Sequence, residues 1–169
     1  TAEAISDAFD PRRLRASQPF LLERTLDGDL RAFAYEIDTD SILRVTRAAE
    51  DEVNASIAEI PKTRHQVIAG GAINEMTPSL FQAMESTGER PELSIALADI
   101  FSGEIDFNTE LQPGDRFGLA FEKFTRAKLP IDGDEPRPAT YGDVAAAEFH
   151  NDGRVLRGSV LIIESIDRL

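Results

Sequence analysis

Residues 93–124 read LSIALADIFSGEIDFNTELQPGDRFGLAFEKF, and a weaker copy of this stretch opens the chain. Asp99-Ile-Phe101 answers Asp7-Ala-Phe9, and Leu111-Gln-Pro-Gly-Asp-Arg-Phe117 answers Leu14-Arg-Ala-Ser-Gln-Pro-Phe20. Further on, Gly142-Asp-Val-Ala-Ala-Ala-Glu-Phe149 answers Gly28-Asp-Leu-Arg-Ala-Phe-Ala-Tyr35, and Asp152-Gly-Arg-Val-Leu-Arg157 answers Asp38 with Ser41-Ile-Leu-Arg44. Each copy reads as a helix, a turn, a strand, a variable loop and a hairpin. A duplicated unit that ends in hairpins is a framework or a binding architecture before it is an active site. The expected fold class is α+β: two small modules of antiparallel strands and hairpins, the second carrying an αα-hairpin.

Inside the quoted stretch, Leu93, Leu97, Ile100 and Phe101 fall at i, i+4, i+7 and i+8, one face of a helix that starts at Pro91 and stops at Gly103. Leu111-Gln-Pro-Gly-Asp115 predicts a tight turn, with Pro-Gly at its centre suiting type II geometry. Residues 116–124 follow as a strand. Upstream, Thr77-Pro78 predicts a helix start with Thr77 as N-cap, and Leu80, Phe81 and Met84 as its apolar face. Gly88 is placed to end that helix. Gly70-Gly71 is expected to break the strand at 64–69 and to form a bend where backbone packs closely.

Towards the N-terminus, residues 2–9 predict the end of a helix that Pro11 terminates. Residues 19–26, 30–37 and 41–47 predict a three-stranded meander, with Asp27-Gly28-Asp29 and Asp38-Thr39-Asp40 as its turns. Residues 53–60 alternate and read as a strand that stops at Pro61. Towards the C-terminus, residues 125–140 hold three prolines and a charged run, which predicts a long exposed loop. Residues 143–149 and 154–164 are expected to form a closing hairpin around Asn151-Asp-Gly153. Val160-Leu-Ile-Ile163 is the most apolar run, expected in a buried strand or an oligomer contact.

The chain has 169 residues, 41% of them hydrophobic, enough for one medium domain or two small ones with real cores. Its 31 acidic residues outweigh 18 basic ones, for a formal charge of −13. Phosphate recognition needs clustered Lys and Arg, and here they are scattered, so nucleic acid is not an expected partner. Anionic membrane surfaces are disfavoured for the same reason. No run approaches the roughly 20 apolar residues of a membrane span. The absence of cysteine removes disulfides, thiolate metal sites and cysteine nucleophiles together.

Candidate chemistry is sparse. The two histidines, His65 and His150, stand in no HxH, HExxH or HxxxD arrangement and read as surface or turn residues. No GxSxG turn presents a serine nucleophile. Glu104, Asp106 and Glu110 pass for paired carboxylates, but their place between a helix and a turn reads as solvent-facing. Asp38-Thr-Asp40 and Asp132-Gly-Asp134 resemble pieces of calcium loops without the distal Glu, so they read as turn residues. Gly70-Gly71 has no P-loop lysine after it. The stripes Leu80/Phe81/Met84 and Leu97/Ile100/Phe101 read as core. No catalytic, cofactor-binding or metal-ligating residue is therefore assigned, and a binding surface is left unspecified.

Four blocks carry a family resemblance: Ser79-Leu-Phe81 with its helix, Leu97-Ala-Asp-Ile-Phe101 with Ile105-Asp-Phe107, Leu111-Gln-Pro-Gly-Asp-Arg-Phe117, and Ala146-Ala-Glu-Phe149 with Asp152-Gly-Arg154. Together they resemble the non-catalytic N-terminal region of bacterial lysostaphin-like (LytM-type) zinc peptidoglycan endopeptidases, metallopeptidase family 23. The resemblance implies a partial LysM- or OapA-like module over residues 1–46, with its front helix missing. It implies a second module over 47–164 and a tail over 165–169. The family's zinc ligands sit in an HxxxD and an HxH motif of a later catalytic domain, and neither motif is present here, so the activity and its zinc do not carry over.

What the resemblance implies is an accessory region that gates or positions a zinc catalytic domain, in cis or in trans, in the bacterial envelope or periplasm. The alternatives are a peptidoglycan-binding module and a structural domain that oligomerises through its apolar C-terminal strand. The start at Thr1, without an initiator Met, is expected of a processed chain or an excised fragment.

Overall fold

Turn chemistry at Asp27-Gly28 and Asp38-Thr39-Asp40 folds the first part of the chain into a meander. The computed structural model describes residues 2–47, 52–134 and 137–159. Helix α1 (Ala2–Ala8) leads through a 3-10 turn at Pro11–Arg13 to strands β1 (Phe20–Arg24), β2 (Leu30–Glu36), β3 (Ser41–Arg47) and β4 (Val53–Glu59). They pair antiparallel in the order β1-β2-β3-β4. Gly28 takes φ 91°, which a side chain would resist. The Asp38 carboxylate accepts the Asp40 amide at 2.9 Å, closing an Asx turn between β2 and β3. Strand alternation puts Phe33, Tyr35, Leu43 and Val45 on one face, where they bury against Ile5, Ala8 and Phe9.

A second sheet follows, of β5 (Lys62–Ala72), β6 (Arg116–Arg126), β7 (Thr140–Asn151) and β8 (Arg154–Ser159), in that order. Between β5 and β6 lie helices α2 (Leu80–Glu85) and α3 (Glu92–Ile100). Leu80, Ala83, Met84, Leu93, Leu97 and Phe101 bury against the inward residues of the sheet: Ala69, Phe117, Leu119, Phe121, Val144, Ala147, Phe149 and Leu156. The β7–β8 hairpin turns through Asp152 (φ 47°) and Gly153 (φ 74°), the two left-handed residues that a type I′ turn demands. Gly114 has φ 104° and the Asp115 amide donates to Gln112 O at 3.1 Å, as the Pro-Gly turn requires.

Both sheets share one register. Phe20 pairs with Tyr35 and Tyr35 with Leu43; in the second sheet Phe117 pairs with Phe149 and Phe149 with Leu156. A phenylalanine just past a helix end packs on the central aromatic each time. Phe9 meets Tyr35 at 6.0 Å between ring centroids, and Phe101 meets Phe149 at 6.5 Å. The two copies differ in the added strand: β4 extends the first sheet beyond β3, and β5 extends the second beyond β6. The α+β class with antiparallel strands and hairpins is as expected; the expected three-stranded meander is extended by β4 into a four-stranded sheet.

Three local expectations are corrected. Gly70-Gly71 does not break the strand; both lie inside β5. The close packing is real, since a Cβ on Gly71 would stand 2.8 Å from the Phe117 ring and 3.0 Å from Ala83 O. Extended backbone absorbs that contact without bending. Thr77 is not the N-cap of α2. Ser79 is, its Oγ accepting the Gln82 amide at 3.3 Å, while Thr77 Oγ1 donates back to Ala72 O. Residues 125–140 are not simply an exposed loop: Leu129 is buried and a 3-10 turn forms at Pro130–Asp132.

By packing the chain divides into one unit of Thr1–Thr63 with Thr125–Pro138, and another of Arg64–Phe124 with Ala139–Leu169. Against the boundary expected at 46/47, β4 joins the first sheet by pairing with β3. The apolar run 160–163 and the tail lie outside the described residues, as do residues 48–51.

Candidate functional site

The face of the first sheet opposite α1 carries small side chains, Ala32 and Ala34, beside Ile42. Small residues there leave room above the strands. Leu129, Pro130 and Ile131 stand as a wall over that floor, and Glu23 and Arg44 lie among its lining residues. The resulting groove holds about 300 Å³ and is mostly apolar. Leu129 and Ile131 pack with Ile42, Ile60, Ala34 and Ala58 to seat the wall.

Four charges hold that wall in place. Arg126 Nη1 meets Glu36 Oε1 at 3.2 Å, and its Nη2 meets Asp132 Oδ1 at 2.7 Å. Arg137 repeats the pattern, with Nη2 on Glu36 Oε2 at 3.1 Å and Nε on Asp132 Oδ1 at 2.9 Å. Two acids and two bases close a ring of zero net charge. It is deeply set: the side chains of Asp132, Glu36 and Arg126 are 1%, 7% and 8% exposed. Asp132 Oδ2 also accepts the Leu129 amide at 2.7 Å, which ties the ring to the wall itself. Burial pushes the Asp132 carboxyl up, but the Leu129 amide and the Arg137 and Arg126 guanidinium groups outweigh it, so its pKa lies below the ordinary carboxylate value. Arg126 Nε is buried without a partner, a cost the ring carries.

The second unit has two charged clusters. Glu89 accepts Lys123 Nζ at 2.8 Å and the Tyr141 hydroxyl at 2.8 Å, while that hydroxyl accepts the Arg90 amide. Burial and the adjacent Glu89 raise the Tyr141 pKa, so the phenol stays protonated and donating. Glu148 bridges His150 Nε2 and Arg157 Nε across β7 and β8, and those two partners hold its carboxyl below the usual range. Both clusters join neighbouring elements, and Glu148 and Arg157 also border a mostly apolar hollow beside Gly118, Ala146 and Gly158.

The residues singled out from sequence are dispersed. His65 lies on β5 and His150 on β7. Asp106 is spent locally: Asn108 donates its amide to Oδ1 at 2.9 Å, and that bond with the Thr109 side chain lowers its pKa. Glu110 contributes its carbonyl to Asn151 Nδ2, and the Glu104 carbonyl faces Arg154. Asp40 pairs with Lys62, whose hydrogen bond lowers its pKa. Leu80, Met84, Leu97 and Phe101 are core, whereas Phe81 is half exposed. Among the described residues no group of three or more His, Asp or Glu gathers as a metal site. His65 and His150 lie on different strands, and neither stands in an HxxxD or HxH arrangement.

Sequence reading missed the groove and its ring. The one available signal was Leu129-Pro-Ile131, an apolar pair in an otherwise polar, proline-rich stretch.

No protein-family model matches the chain, and no curated protein matches it by sequence. By structure it is similar to Helicobacter pylori Csd3 in two crystal forms. The orthorhombic form gives a TM-score of 0.55 at 16% identity, over 82% of this chain and 35% of that one. The hexagonal form gives 0.60 at 12% identity, over 93% and 42%. It is also similar to a zinc-containing peptidase from Vibrio cholerae, with a TM-score of 0.51 at 16% identity, over 85% and 41%. At these identities the likeness shows a shared fold, and the chain spans well under half the length of each of these neighbours.

Proposed function

We propose that this chain is a non-catalytic accessory region of a LytM-type zinc peptidoglycan endopeptidase, acting in the bacterial envelope by gating or positioning the catalytic domain. One observation carries the reading. The two-unit fold recurs as a part, between 35% and 42%, of chains that include a zinc-containing peptidase, while this sequence holds neither HxxxD nor HxH. The described helices include none long and apolar enough to cross a membrane, which is compatible with an extracytoplasmic region.

Gating is a shift between closed and open states of the catalytic domain, so its strength equals the differential affinity of the accessory region for the two. The test adds this purified chain to a LytM-type catalytic domain from the same genome and follows clearance of isolated peptidoglycan. Slower cleavage with a measurable heat of binding is expected. An unchanged rate together with no binding by calorimetry would overturn the reading.

A second reading is favoured by the groove of the first unit, whose volume of about 300 Å³ admits a short peptide side chain or stem. On that reading the chain binds the wall itself. Co-sedimentation with insoluble peptidoglycan separates the two: strong retention is expected of a binder and weak retention of a gate.

A further inference from the structure

The duplicated sheets are unequally finished along one edge. In the second sheet, β6 is flanked by β5, and its inward residues Phe117 and Leu119 are 5% and 1% exposed. In the first, the matching strand is β1, and among the described residues no strand pairs with its outer edge. Phe20 and Leu22 occupy the positions of Phe117 and Leu119, and they are 64% and 42% exposed. Phe20 rests on Phe33, ring centroids 6.4 Å apart, so its inner side is packed and its outer side bare.

Backbone polarity points the same way. The Glu36 amide donates to Pro19 O, which makes Pro19 and Glu36 a hydrogen-bonded pair of the β1–β2 ladder. Pairs alternate along an antiparallel ladder, so Phe20 and Leu22 direct their N–H and C=O groups away from β2, into the open edge. One pair of residues thus offers both a bare apolar surface and unpaired backbone groups, the two requirements for strand addition.

We propose that β1 is a docking edge that accepts an extended peptide segment from another polypeptide as an additional strand. The copy within the chain supplies the chemistry of the occupant. On β5, Ala69 is buried and Val67 packs partly buried against the same core, Ile73 buries just past the strand's end, and Gly71 lies where any Cβ would meet the Phe117 ring. The segment that fits β1 is uncharged on alternate positions and carries Gly where it crosses Phe20. A second copy of this chain is the poorer occupant, because two bodies of charge −13 repel each other.

The test uses the full chain and a capped synthetic peptide of residues 64–73, with amide hydrogen exchange read by NMR. The peptide is expected to slow exchange at Phe20 and Leu22 by about tenfold or more at about 1 mM, leaving the Leu21 amide, already directed at β2, little changed. Leu22→Pro deletes an outward N–H without touching the ladder, and Phe20→Lys places a charge on the strip. Each is expected to abolish the protection while far-UV circular dichroism and the urea midpoint stay near the parent values. No protection in the parent chain overturns the proposal. Protection that grows with chain concentration in the absence of peptide assigns the edge to self-association and overturns the choice of occupant.

Discussion

Phe101 packs its ring against Phe149 at a tilt of 49°, and the same contact recurs between Phe9 and Tyr35 at 50°. In each copy the helix ends one residue before the phenylalanine, whose amide still closes an i to i−4 bond, to Ile5 O or to Leu97 O. The helix end therefore sets the ring over the middle of the sheet. Phe101→Ala is expected to cost about 3–5 kcal/mol, since it removes a fully buried ring from a packed core. Urea denaturation followed by circular dichroism measures it.

Asp115 and Asn151 lock the Pro-Gly turn to the end of β7. Asn151 Nδ2 donates to Asp115 Oδ2 at 2.9 Å and to Glu110 O at 3.0 Å, and the same carboxylate oxygen accepts the Gln112 amide. Asn151→Ala leaves these buried acceptors short of a donor and is expected to destabilise by about 1–3 kcal/mol. The shift of the urea midpoint at unchanged slope checks it.

Gly71→Ala tests the close approach inside β5. The new methyl would press on the Phe117 ring and on the Ala83 carbonyl, and the carbonyl is backbone that yields little. A loss of about 1–3 kcal/mol is expected from overpacking. Gly28→Ala meets no atom within 4 Å and suffers only from its positive φ, so it should cost less, about 1 kcal/mol.

The ring of Glu36, Arg126, Asp132 and Arg137 makes the wall of the groove sensitive to acid. The folded-state pKa of Asp132 is depressed, so its contribution is fully present above the ordinary carboxylate pKa and is lost as pH falls through the folded value. Stability measured by urea midpoint should therefore drop below about pH 4. Asp132→Asn removes the anion that two guanidinium groups share and is expected to cost about 3–5 kcal/mol at neutral pH. It should also flatten the acid limb of the profile.

Much of the fold was legible because it is written locally. Asp38-Thr-Asp40 and Asn151-Asp-Gly153 carry turn chemistry in the residues themselves, and alternation between such turns marks β2, β3 and β7. What was missed depends on residues far apart. Nothing near Gly70-Gly71 announces that Phe117 will lie against it. Nothing near Asp132 announces Glu36, 96 positions earlier, which receives the same arginines. The candidate site was therefore invisible while the framework was readable: its floor comes from β2 and β3, and its wall from a stretch whose prolines and charges argue for solvent.

The wall has one more consequence. The stretch Thr125–Pro138 belongs by packing to the first unit, yet in sequence it runs from the last two residues of β6 to just before β7 of the second sheet. Duplicated modules are ordinarily separable by one cut between them. Here no single crossover point parts the copies, because the earlier one borrows its Leu129–Asp132 segment from the later. Recombination that swapped either half for a homologous one would have to carry the matching arginines and acids along. The two copies are thereby bound to be inherited, and to diverge, as one piece.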